Sequence, residues 1–296
     1  MIIAGIELSN PGRVLYPEQG LTKEDLARYY EAIAPWMLPH VAGRPFALVR
    51  CPGGRQQACF YQKHWKSYLP KAVKTVAIQE GDGVKRPYTV ISDAAGLVSL
   101  VQNGVLEIHL WGSRADAVES PDRIVFDLDP APGVSWARVR EATRMLGELL
   151  RTLELESWLK TTGGKGMHVV VPIARRSSWD EVTAFARAVG YRIAREAPER
   201  YLARASKAER EGKIFIDWLR NTRGATAIAP WSSRAREGAP VSMPVSWEEL
   251  GTVRSGDQYS VESALALMRR RKHDPWAGLL KARQQLSRSM TAALGS

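Results

Sequence analysis

Two aspartates separated by a single residue, Asp127 and Asp129, lie in a segment where Ile124, Phe126 and Leu128 recur at every second position. This alternation predicts a β-strand, and side chains two residues apart on a strand point to the same face. Two ionised carboxylates on one face repel each other unless a cation lies between them. Hard oxygen ligands of this kind suit Mg²⁺ or Mn²⁺. The pair therefore predicts a divalent-metal site at the end of a strand, with two solvated acids as the alternative.

A third aspartate, Asp217, lies in the largely apolar segment 214–220, which is a second predicted strand. A carboxylate among apolar side chains costs free energy unless it is paired or bound to a metal. Because Asp127 and Asp129 already predict a cation site, we expect Asp217 to lie beside them.

A glycine-rich stretch between two further predicted strands carries the polar side chains of Thr162, Lys165 and His168. It is not the nucleotide-binding loop of the common ATPases, because that loop must open a helix. Glycines still allow backbone N–H groups to approach an anion closely. The stretch therefore predicts an anion site, with a flexible turn and a solvated lysine as the alternative.

Taken together, the aspartates, the glycine turn and arginines such as Arg220 and Arg234 suggest nucleotidyl transfer. An attacking hydroxyl and a leaving pyrophosphate both develop charge, and two metal ions about 3.5–4 Å apart can stabilise both. The paired aspartates would bridge the ions, and Asp217 would hold the one that activates the hydroxyl. Lys165, Arg220 and Arg234 would neutralise the triphosphate.

The composition of the chain favours a polyanionic partner in a reducing compartment. The 296 residues include 42 Lys and Arg against 31 Asp and Glu, a net charge of +11, and such an excess favours nucleic acid. The two cysteines, Cys51 and Cys59, make neither a disulfide framework nor a zinc pattern, which predicts the cytosol. No apolar run approaches membrane-spanning length, and the first residues lack the charged start of a signal peptide.

A capped helix near the N-terminus offers a possible phosphate site. Thr22 and Asp25 form a capping pattern before an apolar helical periodicity that extends to about Met37. Lys23 lies in the first turn and Arg13 shortly upstream. Free amide donors and a lysine at a helix N-terminus suit a phosphate, although a solvated lysine is the commoner arrangement.

Aromatic and basic residues interleave in one short stretch, where Phe60, Tyr61 and Trp65 accompany Lys63 and His64. Single-stranded nucleic acid is bound in this way, with aromatic faces for bases and cations for phosphates. The alternative is that Phe60 and Trp65 are core residues and that Tyr61 is half-buried.

The strand predicted over residues 105–110 places Glu107 and His109 on one face. A histidine on a strand is more often a structural hydrogen-bonding group than a catalyst. Residue types alone therefore assign no role to His109.

A set of motifs extends nearly from end to end of the chain. They are Arg13–Pro17, Leu21–Lys23, Val49–Pro52, Cys59–His64, Glu107–Trp111, Phe126–Pro130, Lys165–His168 and Asp217–Asn221. In these motifs the chain resembles the polymerase module of bacterial DNA ligase D, a member of the archaeo-eukaryotic primase superfamily. The set is far more specific than any one motif.

The resemblance implies template-directed and template-independent nucleotide addition, with ribonucleotides preferred, at DNA double-strand breaks during non-homologous end joining. It implies an α/β (α+β) fold in which a central, mostly antiparallel sheet carries the active site and is flanked by helices. The chain would be a single primase-polymerase module over 1–296. Within it, 1–120 would bind DNA and a 5′-phosphate, 121–250 would form the catalytic sheet, and 251–296 would form closing helices.

The same resemblance assigns the site residues. The catalytic metal ligands, for two Mn²⁺ or Mg²⁺ ions per site, would be Asp127, Asp129 and Asp217. The NTP or dNTP substrate would be bound by His109, Thr162, Lys165, His168, Arg220 and Arg234. DNA would be bound by Arg13 and Lys23 at a 5′-phosphate, by Phe60 and Tyr61 at the template, and by Arg50 and Lys63.

Two departures from the family pattern bear on substrate choice and on ligation. Thr162 stands where the family usually has serine, and Gly164 replaces another serine. Threonine keeps the hydroxyl, but its methyl group could alter contacts to the ribose. The chain has no Lys-x-Asp-Gly adenylation motif, so we do not expect it to ligate DNA.

The implied partners are DNA with 5′-phosphorylated ends or gaps, the Ku end-binding protein, and ligase and phosphoesterase modules of the same or another chain. We expect a cytoplasmic, nucleoid-associated monomer without membrane contact. One alternative is a replicative-type primase that starts chains without a primer. Another is a non-catalytic DNA-end-binding module in which the acids are structural, but it leaves Asp217 buried without a reason.

Overall fold

The structure is a computed structural model that describes residues 1–65, 69–206 and 208–295. The strands are Ile2–Ile3 (β1), Ile6–Glu7 (β2), Val14–Tyr16 (β3), Leu21–Thr22 (β4), Phe46–Arg50 (β5), Phe60–Gln62 (β6), Lys74–Gln79 (β7), Lys85–Val90 (β8), Val105–Trp111 (β9), Arg123–Pro130 (β10), Trp158–Thr161 (β11), Met167–Pro172 (β12), Tyr201–Leu202 (β13), Ile214–Asp217 (β14), Thr226–Ile228 (β15) and Pro244–Val245 (β16). The α-helices are Lys23–Val41 (α1), Ala94–Gln102 (α2), Trp136–Thr152 (α3), Trp179–Glu196 (α4), Val261–Arg270 (α5) and Arg288–Ala293 (α6).

The chain divides into two compact units that are interleaved along the sequence. The first unit comprises Met1–Trp111, Ile228–Met243 and Tyr259–Asp274, and the second comprises Gly112–Ala227, Pro244–Gln258 and Pro275–Ser296. The predicted parts 1–120, 121–250 and 251–296 do not coincide with these units, because two late segments return to the first unit and the closing residues are shared between both.

In the first unit, α1 packs against α2 and α5. Its predicted N-terminus is confirmed: the Thr22 hydroxyl accepts a hydrogen bond from the Asp25 amide, and the Asp25 carboxylate accepts one from the Thr22 amide. The helix continues beyond the predicted end at Met37 to Val41. The added turn is retained because Met37 and Val41 are both fully buried, so packing outweighs the cost of the proline within it.

The sheet of the first unit is built around β5, which pairs antiparallel with β6, β8 and β9. The register places Val49 opposite both Tyr61 on β6 and Glu107 on β9. His109, two residues after Glu107, is opposite Ala47. Tyr61, Glu107 and His109 therefore share one face of this sheet.

The two cysteines, which composition alone left unpaired, are joined by a disulfide between Cys51 and Cys59. Cys51 follows the last residue of β5, and Cys59 precedes the first residue of β6. Because β5 and β6 are antiparallel neighbours, the loop between them brings the two cysteines together. Spacing along the sequence could not show this, because the contact depends on the pairing of the strands.

The sheet of the second unit has the strand order β13-β14-β10-β12-β11-β16. Every pairing in it is antiparallel except that between β13 and β14, which confirms the predicted mostly antiparallel sheet. Helices α3 and α4 pack against its strands. The alternation predicted for β10 is also confirmed, because Ile124, Phe126 and Leu128 are fully buried.

The side chain of Asn221 extends the pairing between β14 and β10 beyond Asp217. Its Oδ1 accepts a hydrogen bond from the Val125 amide at 2.7 Å, and its Nδ2 donates to the Val125 carbonyl at 2.8 Å. Asn221 thus satisfies both backbone groups of a residue two positions before Asp127. The end of β14 is held against β10 at the position where the acids lie.

Within the parts of the chain that the structure describes, no helix combines the length and the apolar character needed to cross a membrane.

Candidate active site

Four titratable residues lie side by side across four neighbouring strands of the second unit. Asp127 on β10 is opposite Asp217 on β14 and His168 on β12, and His168 is opposite Lys160 on β11. Directly opposed residues project to the same face, with Cβ atoms about 4.5–5.5 Å apart. Asp129 shares this face because it lies two residues along β10. The structure therefore brings the three predicted metal ligands together.

Two arginines partly neutralise this acidic cluster. Arg220 lies between two of the acids, with Nη2 3.4 Å from Oδ2 of Asp127 and Nε 3.1 Å from Oδ2 of Asp217. Arg210 donates from Nη1 to Oδ2 of Asp129 at 3.0 Å. Arg220 was predicted near the triphosphate, whereas Arg210 was not singled out by its sequence context.

The three carboxyl groups differ in how readily they ionise. Burial opposes ionisation of Asp127, but His168 and Arg220 outweigh it and lower its pKa to about 2. Burial, together with the charge of Asp127, raises the pKa of Asp129 and of Asp217 despite the nearby arginines. An added cation beside Asp129 and Asp217 would favour the ionised forms that burial and Asp127 disfavour.

The donor set fits a divalent cation, although the side chains are not in a ligating arrangement. In residues 1–65, 69–206 and 208–295, no three His, Cys, Asp or Glu side chains converge closely enough to hold a metal ion. The three aspartates nonetheless supply hard oxygen ligands from adjacent strands. Arg210 and Arg220 contact one carboxylate oxygen of each of these aspartates.

The glycine turn between β11 and β12 uses its own threonine to hold its shape. The Thr162 hydroxyl accepts hydrogen bonds from the amides of Gly164 and Gly166, each at 3.2 Å, and donates to the Gly166 carbonyl at 3.1 Å. Thr162 is buried, whereas Lys165 is exposed. Of these two predicted nucleotide-binding residues, Lys165 is the one whose side chain extends to solvent.

His168 is buried beside the acids. Its Nε2 lies 3.5 Å from Oδ1 of Asp127. Burial, reinforced by the charge of Lys160, lowers the pKa of His168 to about 4, so the imidazole is neutral at pH 7. Its Nδ1 finds no hydrogen-bond partner among the described residues. A buried nitrogen without a partner is costly, and a bound group could satisfy it.

His109 and Arg234, also predicted to bind nucleotide, lie together in the first unit. Nε2 of His109 is 2.7 Å from Oε2 of Glu107, and Nε of Arg234 is 3.1 Å from the same oxygen. The ring of Tyr61 meets that of His109 edge to face, with centroids 6.0 Å apart. The two predicted residues are thus linked through Glu107.

Of the predicted 5′-phosphate residues, Lys23 is the first residue of α1, and its backbone amide donates a hydrogen bond to the Arg13 carbonyl. Lys23 is only 5% exposed, so it is not a solvated lysine. Its Nζ donates to the Ser9 carbonyl at 2.8 Å and lies 3.4 Å from Oε1 of Gln102, and both acceptors are neutral. Burial, with the charge of Arg13, lowers the pKa of Lys23. An ammonium group held by neutral oxygens beside another cation is suited to an anion.

The aromatic stretch divides into exposed and buried rings. Phe60 and Tyr61 are 46% and 51% exposed, whereas Trp65 is buried. The guanidinium of Arg50 lies 5.5 Å from the Phe60 ring centroid and 5.0 Å from that of Trp65. Trp65 is therefore a core residue, as the alternative interpretation expected, but Phe60 and Tyr61 are accessible for stacking. Lys63, like them, is exposed.

Comparison with known proteins identifies one family. A family model described as the LigD primase-polymerase domain matches residues 22–276. The chain is 41% identical over 295 residues to the multifunctional non-homologous end joining protein LigD of Pseudomonas aeruginosa. This match covers 99% of the present chain and 35% of the Pseudomonas protein. It is 24% identical over 261 residues to the bifunctional LigD of Bacillus subtilis, covering 88% of this chain and 42% of that protein.

A solved structure agrees with these sequence matches. The polymerase domain from Mycobacterium tuberculosis Ligase D, in complex with DNA, matches with a TM-score of 0.86 and 31% identity. The match covers 94% of this chain and 99% of that one. The chain spans about one third of the length of the multifunctional LigD relatives.

Proposed function

The chain belongs to the family of LigD primase-polymerase domains, which are nucleotidyltransferase-type enzymes, and on that premise we propose that it adds nucleotides to DNA ends and gaps during double-strand break repair. The substrates would be NTPs and dNTPs, with ribonucleotides preferred. The observation that carries the proposal is the placement of Asp217 directly opposite Asp127. Two acids from distant segments meet on one sheet face, where burial alone would disfavour the ionised form of both.

In this proposal, each group of the second-unit site has a defined task. Two Mn²⁺ or Mg²⁺ ions would be held by Asp127, Asp129 and Asp217. Paired divalent ions stabilise the charge that develops on attacking and leaving oxygens. Lys165, exposed on the glycine turn, and Arg220 would neutralise the triphosphate. The hydrogen bonds of Thr162 hold the shape of the turn that carries Lys165. That His109 and Arg234 also contact the nucleotide stays a prediction.

DNA is the proposed partner, because the solved relative was obtained in complex with it and the chain carries a charge of +11. Arg13 and Lys23 would bind a downstream 5′-phosphate, and Phe60 and Tyr61 would stack on template bases. Participation of Ku and of ligase or phosphoesterase modules stays a prediction from the family resemblance.

Primer extension on a gapped duplex tests the function. We expect extension with Mn²⁺ or Mg²⁺, with NTPs and with dNTPs, and more of it when the downstream strand carries a 5′-phosphate. Absence of extension under all of these conditions would reject the proposal. De novo synthesis on a circular single strand, without a primer, would favour the replicative primase instead.

Lys23 provides a specific test of phosphate recognition. Lys23→Ala should weaken binding to a 5′-phosphorylated gap by about tenfold and flatten the salt dependence, because one charged phosphate contact is lost. Binding to the same gap without the phosphate should change little. As a control, Lys71→Ala removes an exposed lysine of the same unit and should leave discrimination intact. If wild-type protein binds both gaps equally in a fluorescence anisotropy titration, Lys23 is not a phosphate ligand.

A further inference from the structure

A buried carboxylate in the first unit connects two residues that the proposed function assigns to the nucleotide. Glu107 is 6% exposed. Its Oε1 accepts a hydrogen bond from the Ala235 amide at 2.9 Å, and its Oε2 is shared by Nε2 of His109 and Nε of Arg234. Burial opposes ionisation of Glu107, but His109 and Arg234 outweigh it and lower its pKa to about 2. The group is therefore a carboxylate at neutral pH.

The carboxylate fixes the protonation of the histidine ring at one position. An ionised carboxylate can only accept hydrogen bonds, so Nε2 of His109 must carry a proton. The contact with Glu107 therefore fixes which ring nitrogen faces the carboxylate. The edge-to-face contact with Tyr61 lies at an interplanar angle of 72° and restricts rotation of the ring. The imidazole is thereby held in one orientation and with one defined donor.

The same carboxylate orients the arginine next to Ala235. Nε of Arg234 lies 3.1 Å from Oε2 of Glu107, and the adjacent residue donates its amide to the other carboxylate oxygen. Glu107 thus holds both the side chain of Arg234 and the backbone beside it. Because the guanidinium is planar, an ion pair at Nε fixes the plane of the whole group.

We propose that Glu107 is a positioning residue that holds His109 and Arg234 in the arrangement in which they contact the incoming nucleotide. This inference rests on the proposed function, because it takes those two residues as nucleotide contacts. Glu107 would act on the nucleotide only through these two side chains. Its charge and its reach are both needed, because one carboxylate must contact two side chains and one amide.

Two substitutions separate reach from charge. Glu107→Gln keeps the shape and an acceptor for the Ala235 amide but loses the charge, and it should lower kcat/KM for nucleotide addition by about 10- to 100-fold. Glu107→Asp keeps the charge but is one methylene shorter, and it should give an intermediate loss. As a control, Glu119→Gln removes a surface carboxylate paired with Arg223 and should stay within about twofold of wild type.

A double-mutant cycle distinguishes positioning from a merely structural role. In a His109→Ala, Arg234→Ala background, Glu107→Gln should cause no further loss, because the groups that it positions are absent. A further tenfold loss in that background would contradict the assignment. Far-UV circular dichroism of each variant gives the folded fraction by which the rates are corrected.

Equilibrium titration of the same proteins with a fluorescent ATP analogue separates this inference from the function on which it depends. Wild-type protein that binds nucleotide but extends no primer would overturn the proposed function alone. Glu107→Gln with wild-type affinity and wild-type extension would overturn the assignment of Glu107 alone. If wild-type protein binds no nucleotide, both are overturned.

Discussion

Asp217→Asn is expected to abolish nucleotide addition while DNA binding survives. The substitution keeps the size of the side chain but removes one of three carboxylates that meet on the sheet face around Asp127. An amide is a poorer ligand for a hard cation than a carboxylate. We expect extension in the presence of Mn²⁺ to fall by at least about 10³-fold, equivalent to about 4 kcal/mol of activation free energy.

Although Asp217→Asn should lose activity, it should be more stable than wild type when no metal is present. Burial and Asp127 raise the pKa of Asp217, so the folded protein binds a proton at this site more readily than the unfolded chain. A raised carboxyl pKa costs stability once the pH exceeds the unfolded value. In metal-free buffer at pH 7, Asp217→Asn should therefore melt at a higher temperature than wild type. The difference should shrink as acid protonates the wild-type carboxyl.

Two measurements check these outcomes together. Added Mn²⁺ should raise the melting temperature of wild type through preferential binding to the folded state, and this increase should be lost in Asp217→Asn. The control is Asp116→Asn, at an exposed acid paired with Arg175, which should retain the increase and the activity. Extension by Asp217→Asn at the wild-type rate would reject the metal assignment.

The elements that position the acids could be predicted because each depends on local pattern. Alternation along β10 and β14 placed Asp127 and Asp217 on strands, and the capping residues at Thr22 defined the start of α1. The position of the glycine turn between two strands followed from the apolar runs that flank it. None of these predictions required knowledge of which strands are neighbours.

Apart from the meeting of Asp217 with Asp127 and Asp129, the contacts that strand order creates could not be predicted. Lys160 joins the row of titratable residues only because β11 lies beside β12, and Glu107 reaches Arg234 across more than a hundred residues. Arg210 contacts Asp129 from a charged segment in which no local feature distinguishes one basic residue from another. The family resemblance assigned roles to residues within its motifs, and Lys160 and Arg210 lie outside the motifs that carried it.

Gly166→Ala is expected to disrupt both the fold and the site of the second unit. A Cβ atom at Gly166 would lie 2.2 Å from the carbonyl oxygen of Leu128 and 3.6 Å from Oδ1 of Asp127. Leu128 separates the two paired aspartates, and its strand is held on both sides by β12 and β14. Neither backbone can yield without loss of pairing, so we expect destabilisation by about 3 kcal/mol or more.

Loss of activity should exceed what unfolding explains. Relief of the clash requires the glycine turn, which carries Thr162 and Lys165, to move relative to β10 and its aspartates. A misplacement of about 1 Å can cost about 100-fold in rate, so extension measured well below the melting temperature should fall by at least that factor.

A matched pair of glycines makes the test specific. Gly256→Ala should have a similar effect from the opposite side, because its Cβ would lie 2.5 Å from the Gly164 carbonyl and 2.7 Å from the Gly166 carbonyl. Gly251→Ala adds the same methyl group where nothing lies within 4 Å, and it should melt and extend primers as wild type does. If Gly166→Ala matched Gly251→Ala in melting temperature and rate, the close approach of the glycine turn to β10 could not be needed for the fold or for activity.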